Sequence, residues 1–220
     1  MEKLKLAVLI SGRGSNQKAL IDASIMPGFP AEIVLVISGS PDAAGLKYAQ
    51  DARISAHSVD RRDFRNRIEA DSRMTSMLQN AGVELVCLAG YMRMLSDEFC
   101  AHWRNRMINI HPSLLPAFKG LNVQQAALDS GVRFSGCTVH YVRPDMDTGP
   151  IIIQAAVPVL PDDTAAVLAD RILIEEHRIY PQAVRLIADG RVTIDNERAI
   201  IAGHCTPQGA ITNPQPDRQS

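Results

Sequence analysis

Asn109 and His111 stand two residues apart at the end of a short apolar run, MINI, and lead into a proline-stiffened loop, HPSLLPAFKG. On an extended segment, side chains two apart share a face, so the amide and the imidazole would address one point in space. An amide N–H can donate to a developing oxyanion. An imidazole can donate as well, or carry a proton near neutral pH. A carboxylate beside it would orient the ring and favour its charged form. Asp147, in the turn RPDMDTGP, is the candidate, whereas Asp145 reads as a solvated turn residue. Just upstream, Thr138 and His140 alternate on a strand-like run, either supporting the site or simply paired within the strand. Asn, His and Asp with no nucleophilic Ser or Cys beside them suit direct acyl transfer. An amine attacks a carbonyl, and the site stabilises the tetrahedral oxyanion.

Two further stretches carry chemistry. SGRGSN, residues 11–16, is a glycine turn between an apolar run and a helical pattern. Such a turn exposes backbone N–H groups at a helix start and binds an anion, usually phosphate. A dinucleotide fingerprint would need a third glycine where Gln17 stands, and no acidic residue closes the next strand, so one phosphate group fits better. AGYMRML, residues 89–95, presents Arg93 among Met92, Met94 and Leu95. Flexible apolar side chains around one cation suit a flat heteroaromatic ligand, and equally suit core packing.

Strands are expected over Lys5–Ile10, Glu32–Ser38, Ile54–Ser58, Glu84–Ala89, Met107–Ile110, Ser135–Val142 and Ile151–Val159. Helices are expected over Gln17–Ser24, around Ala43–Ala49, over 63–80 with Phe64, Ile68, Met74, Met77 and Leu78 on one stripe, from Ser96 to Trp103, and over Leu121–Asp129. A long helix is expected from Asp163 to Ala188, kinked or restarted at Pro181. This alternation predicts an α/β fold: a Rossmann-like, mostly parallel sheet flanked by helices on both faces, with an antiparallel hairpin added in the second half. Ligands in such sheets sit beyond the carboxyl ends of strands, which nominates loops 11–16, 90–95, 109–120 and 143–149. Residues 1–202 read as one domain, and 203–220 as a loose polar tail.

The net charge of −1 over 220 residues gives no global attraction to nucleic acid or to an anionic membrane surface. No apolar run approaches the ~18 residues of a membrane span. Cys87, Cys100, Cys137 and Cys205 form no CxxC pair, so they read as reduced thiols of a cytoplasmic protein with no metal.

SGRGSN, AGYMRML, NIHPSLLP, GCTVHYV with MDTGPII, and EEHRIYP follow one another in this order. Together they make the chain resemble the phosphoribosylglycinamide formyltransferases over roughly residues 5–195. That resemblance implies transfer of the formyl group of 10-formyltetrahydrofolate to the amino group of glycinamide ribonucleotide, in purine synthesis. It implies Asn109, His111 and Asp147 as the catalytic trio. Gly14, Ser15 and Asn16 would hold the substrate phosphate, and Glu176 the ribose hydroxyls. Arg67, Met92, Arg93, Met94, Leu95, Asn109 and Arg143 would lie on the folate, with no metal and with a monomer or homodimer as the assembly. Leu173 stands where many members carry a polar residue, often Lys, and Asn122, Val123 and Gln124 replace a common His-Thr-His run. The alternatives are a formyltetrahydrofolate hydrolase, which shares the trio but lacks the SGxGSN loop, and a non-catalytic module that keeps the folate and nucleotide pockets. An NAD-dependent oxidoreductase would rest on Gly-Arg-Gly alone.

Overall fold

The computed structural model describes residues 2–203 and 209–214. Its strands are β1 (Leu4–Ile10), β2 (Ala31–Ser38), β3 (Ser55–Ser58), β4 (Leu85–Leu88), β5 (Met107–His111), β6 (Phe134–Tyr141), β7 (Ile151–Pro158), β8 (Val192–Asp195) and β9 (Arg198–Ile201). Its helices are α1 (Ser15–Ser24), α2 (Gly45–Asp51), α3 (Arg67–Asn80), α4 (Asp97–His102), α5 (Val123–Asp129) and α6 (Ala165–Ala188). Seven strands form one sheet in the order β3-β2-β1-β4-β5-β6-β7. The first five run parallel, and β6 and β7 are antiparallel additions. Strand order reverses between β1 and β4, the position at which a doubly wound sheet opens a crevice.

Strands buried on both faces explain the continuous apolar runs. Leu6 to Ile10 are all buried, with alternate side chains entering two separate cores. On one face Val8 and Ile10 pack with Leu20 of α1 and with Ile172, Ile179 and Tyr180 of α6. On the other, Ala7 and Leu9 pack with Met74 and Leu78 of α3 and with Phe99 of α4. The second cover reaches across β2, β1 and β4 to Met107 at the start of β5, and takes in no buried residue of β6.

Local capping sets several boundaries away from their expected places. The helix expected from residue 63 begins at Arg67, because Asn66 is extended and its side chain accepts from the Glu69 N–H. Before it, the Asp60 carboxylate accepts from Arg62 N and starts a single 3-10 turn, Arg61–Asp63. Phe64 therefore lies outside α3, and Ile68 points to solvent while Ala70 and Asp71 take the inner stripe. Thr164 caps α6, which runs unbroken through Pro181. Its buried face spans both sides of that proline, from Leu168 and Ile172 to Ala183 and Val184, and this burial outweighs a penalty of roughly 3 kcal/mol.

The hairpin β8–β9 was not anticipated, although Asp-Asn-Glu between alternating apolar residues is a turn signal. Most of the expected loose tail lies outside the described residues. In the described part Asn213 donates to the carbonyls of Arg133 and Val159, at 2.6 and 3.2 Å. No helix of the described residues is long and apolar enough to cross a membrane.

Candidate active site

Antiparallel pairing of β5 with β6 sets Asn109 opposite His140 and His111 opposite Thr138. All four share the face of Met107, which the core under α3 and α4 covers at Met107 itself and leaves open beyond it. Polar residues on an otherwise apolar strand thus occupy a stretch of sheet roofed by loops.

Loop 143–149 reaches this patch by a route other than the expected one. A parallel strand would have delivered it at the carboxyl ends. Because β6 runs backwards, Tyr141 is level with Ile108, and Val142 N–H donates to Met107 O at 2.9 Å, at the amino end of β5. The loop must climb back along the face to bring Asp147 to His111. It does so with Asp147 itself in the left-handed region, at φ 49°. One Asp147 oxygen accepts from the Gly120 N–H at 2.7 Å, and the other lies 3.5 Å from His111 Nδ1. The opposite ring nitrogen, Nε2, donates to the Phe118 carbonyl at 2.9 Å. Both nitrogens of this buried ring therefore face acceptors.

His140 is also buried, and burial pushes its pKa below the usual histidine value. Its Nδ1 lies 2.9 Å from Tyr141 O and 3.2 Å from Thr148 O, so that nitrogen carries the proton. In the neutral ring Nε2 is then an acceptor, and Asn109 Nδ2 donates to it at 3.3 Å. His140 thereby fixes which end of the Asn109 amide is which: the NH2 faces inward with one proton to spare. Thr138 has no such capacity left. Its hydroxyl donates to Ser113 O and accepts from Leu115 N and from Gln154 Nε2, which pins the proline loop to the strand.

The helix α1 begins where the glycine turn ends. Gly14 has φ 74°, and a Cβ there would meet Gly45 Cα at 2.8 Å, so the turn needs glycine. The N–H groups of Ser15, Asn16 and Gln17 precede the first helical bond, Lys18 N–H to Gly14 O. Asn16 Nδ2 donates to Glu176 Oε2 of α6 at 2.7 Å. Burial raises the Glu176 pKa, and the Asn16 bond partly offsets the effect. A cleft of about 530 Å³ joins Asn16 and Glu176 to Asn109, His111, Asp147 and Met92–Leu95. Met92 N–H donates to Ser11 Oγ at 2.9 Å, tying the methionine loop to the glycine turn.

The sequence profile of the formyl transferase family, described as "Formyl transferase", matches residues 4–184. The chain belongs to that family. It is 38% identical to the Haemophilus influenzae phosphoribosylglycinamide formyltransferase over 209 residues, 95% of this chain and 99% of the relative. It is 47% identical over 193 residues to the human trifunctional purine biosynthetic protein adenosine-3, matching 88% of this chain but only 19% of that protein's length. The crystal structure of glycinamide ribonucleotide transformylase 1 from Symbiobacterium toebii superposes with a TM-score of 0.88 at 48% identity, covering 90% of this chain and 94% of that one.

Within this formyl transferase fold, Arg67 lies outside the main cleft, while Arg93 and Arg143 line it with their guanidinium groups engaged by protein partners. Arg67 lines a second cavity of about 420 Å³ behind Tyr91, Arg93 and Met94, which separate it from the main cleft. Arg93 turns its guanidinium towards Asp60, at 3.4 Å, with its stem against Gly39. Arg143 lines the main cleft, but its guanidinium is engaged by Glu197, Asn105 and the Val142 carbonyl. Asn122, Val123 and Gln124 line the cleft as well. Burial pushes the thiol of Cys100, also on the cleft wall, up to about 11, and those of Cys87 and Cys137 up to about 12, so none is a ready thiolate. Cys205 lies outside the described residues. Two partners of the site escaped sequence reasoning altogether, the Phe118 carbonyl and the Gly120 N–H. Both come from backbone, which no side-chain pattern announces.

Proposed function

We propose that this chain transfers the formyl group of 10-formyltetrahydrofolate to the amino group of glycinamide ribonucleotide. The observation that carries the reading is the cleft itself. An oriented amide N–H, an imidazole and a carboxylate meet on one wall, while Asn16 and Glu176 lie on another at the start of a phosphate-type helix turn. The identities with phosphoribosylglycinamide formyltransferases over nearly their full length support the same substrates.

In this reading the N–H groups of Gly14, Ser15 and Asn16 receive the phosphate, and the Glu176 carboxylate accepts from the ribose hydroxyls. The folate lies along Met92–Leu95, with Arg67 and Arg143 at its edges. The substrate amine attacks the formyl carbon, and the spare Asn109 proton meets the oxygen as it becomes negative. His111 supplies the second donor, held by Asp147. Both ring nitrogens already face acceptors, so one of these contacts must be given up before the ring can donate. The Phe118 carbonyl can withdraw without stranding a charge, whereas Asp147 cannot. The tetrahedral adduct collapses as the bond from the formyl carbon to the folate nitrogen breaks, and the proton lost by the amine is passed by way of the His111–Asp147 pair to that nitrogen, which leaves as tetrahydrofolate.

An absorbance assay for tetrahydrofolate, run with and without glycinamide ribonucleotide, tests the proposal. Product that forms only when the nucleotide is present is the expected result. Equal rates without it would identify a hydrolase, and tight ligand binding without product a non-catalytic module.

A further inference from the structure

The β8–β9 turn carries a glutamate in a backbone conformation that suits it poorly. Its central residues, Asn196 and Glu197, have φ of 46° and 59°. Asparagine tolerates the left-handed region, but at the second position glycine is the usual occupant, and another residue is disfavoured by roughly 1 kcal/mol. What Glu197 does there is grip Arg143, whose Nε donates to its Oε2 at 2.6 Å. Arg143 Nη2 donates to Asn105 Oδ1 and Nη1 to Val142 O, each at 2.9 Å. Asn105 too is left-handed, at φ 59°. The Arg143 side chain is only 8% exposed. Its stem lies against Gly149, where an added Cβ would come within 3.0 Å of Arg143 Cγ. Arg143 and Gly149 are the two ends of the loop that bears Asp147.

We propose that Glu197 is a positioning residue: acting through Arg143, it fixes the root of loop 143–149 and so sets where Asp147 meets His111 and where Thr148 meets His140. The loop leaves the sheet at the amino end of β5 and works at the carboxyl end, so a small tilt at its root becomes a larger displacement at Asp147. Without Glu197 a buried guanidinium keeps only neutral partners, Asn105 and a carbonyl. The kinetic consequence rests on the formyl-transfer reading, and the structural one does not.

The test uses the full chain with Glu197→Gly and Glu197→Gln, and with Arg104→Ala as control, since Arg104 also pairs with Glu197 but from the surface. Amide exchange over 143–149 is expected to rise about tenfold or more in both Glu197 variants. The kcat is expected to fall about tenfold with KM for the nucleotide unchanged. The melting temperature of Glu197→Gly is expected to fall less than that of Glu197→Gln, because both lose the ion pair and only glycine relieves the turn strain. Arg104→Ala matches wild type throughout, and in an Arg143→Met background Glu197→Gly adds less than about twofold to the loss of kcat. Unchanged exchange in 143–149 overturns the proposal. So does unchanged kcat, or a Glu197 effect that survives intact in Arg143→Met. A wild-type chain that transfers nothing would sink the function, while the exchange measurement would still decide the anchoring.

Discussion

His111 has two ring nitrogens, each already facing an acceptor, and it is the residue on which the proposed chemistry converges. Removing one donor to a developing oxyanion costs about 3 kcal/mol. His111→Ala is therefore expected to lower kcat by roughly two to three orders of magnitude with little change in melting temperature. A variant retaining a tenth of wild-type turnover would remove His111 from the mechanism. Glu176 separates binding from stability. Its carboxyl group is buried, and that burial raises its pKa by disfavouring the charged form. Glu176→Gln is expected to raise the melting temperature at pH 7.5 and to raise KM for the nucleotide roughly tenfold or more, a charged hydrogen bond being lost. A lowered melting temperature would show that the charge is stabilised by partners other than Asn16. At this scale the meeting of Asn109, His111 and Asp147 in one cleft was legible because polar side chains of defined chemistry interrupt apolar or turn-rich text. The roles of Thr138 and His140 were not. One hydroxyl is saturated by Ser113, Leu115 and Gln154, and one ring is assigned its tautomer by two carbonyls, facts that exist only after the strands pair.

Strands β6 and β7 show how an element can be constrained by backbone contact alone. A Cβ on Gly136 would stand 1.9 Å from Ala155 O and 2.9 Å from Leu114 Cδ2. The first neighbour is backbone and cannot yield; the second belongs to the loop that follows His111. Gly136→Ala is expected to destabilise the protein by about 1–3 kcal/mol through overpacking. Differential scanning calorimetry checks it, and a shift below one degree would mean that β7 can slide aside. Outside the β8–β9 hairpin, element existence was readable from apolar runs and glycine stops, and the parallel half of the sheet followed from strand–helix alternation. Boundaries moved where a single cap decided them, as Asn66 did for α3 and Thr164 for α6. The path that loop 143–149 takes to His111 is set by the direction of β6 against β5, a property of strand pairing and not of the loop's own residues. The grip of Glu197 on Arg143 joins positions 54 apart in sequence, beyond the reach of any local pattern.

Over the whole molecule, buried titratable groups give stability a pH dependence whose sign can be worked out. His140 and His177 both have pKa values depressed by burial below the usual 6.5. The unfolded chain therefore binds their protons first, so their contribution is complete above about pH 6.5 and is lost as pH falls through their folded values. Glu176 works the other way. Its raised pKa means that acidification relieves a burden which is complete only above its folded value. Melting temperature is expected to fall between pH 7 and pH 5, and to fall more steeply in Glu176→Gln, where that relief is absent. A shallower slope in the variant would reverse the assignment of the carboxyl.

The facing of Asn109 with His140 and of His111 with Thr138 ties the chemistry to strand register. Sliding β5 by a single residue would send both of its polar side chains into the opposite core and deliver Ile108 and Ile110 to the cleft. Loops around the crevice can gain or lose residues one at a time, but these two strands can change length only in steps of two, so single-residue indels in β5 or β6 should be absent from any active descendant of this chain.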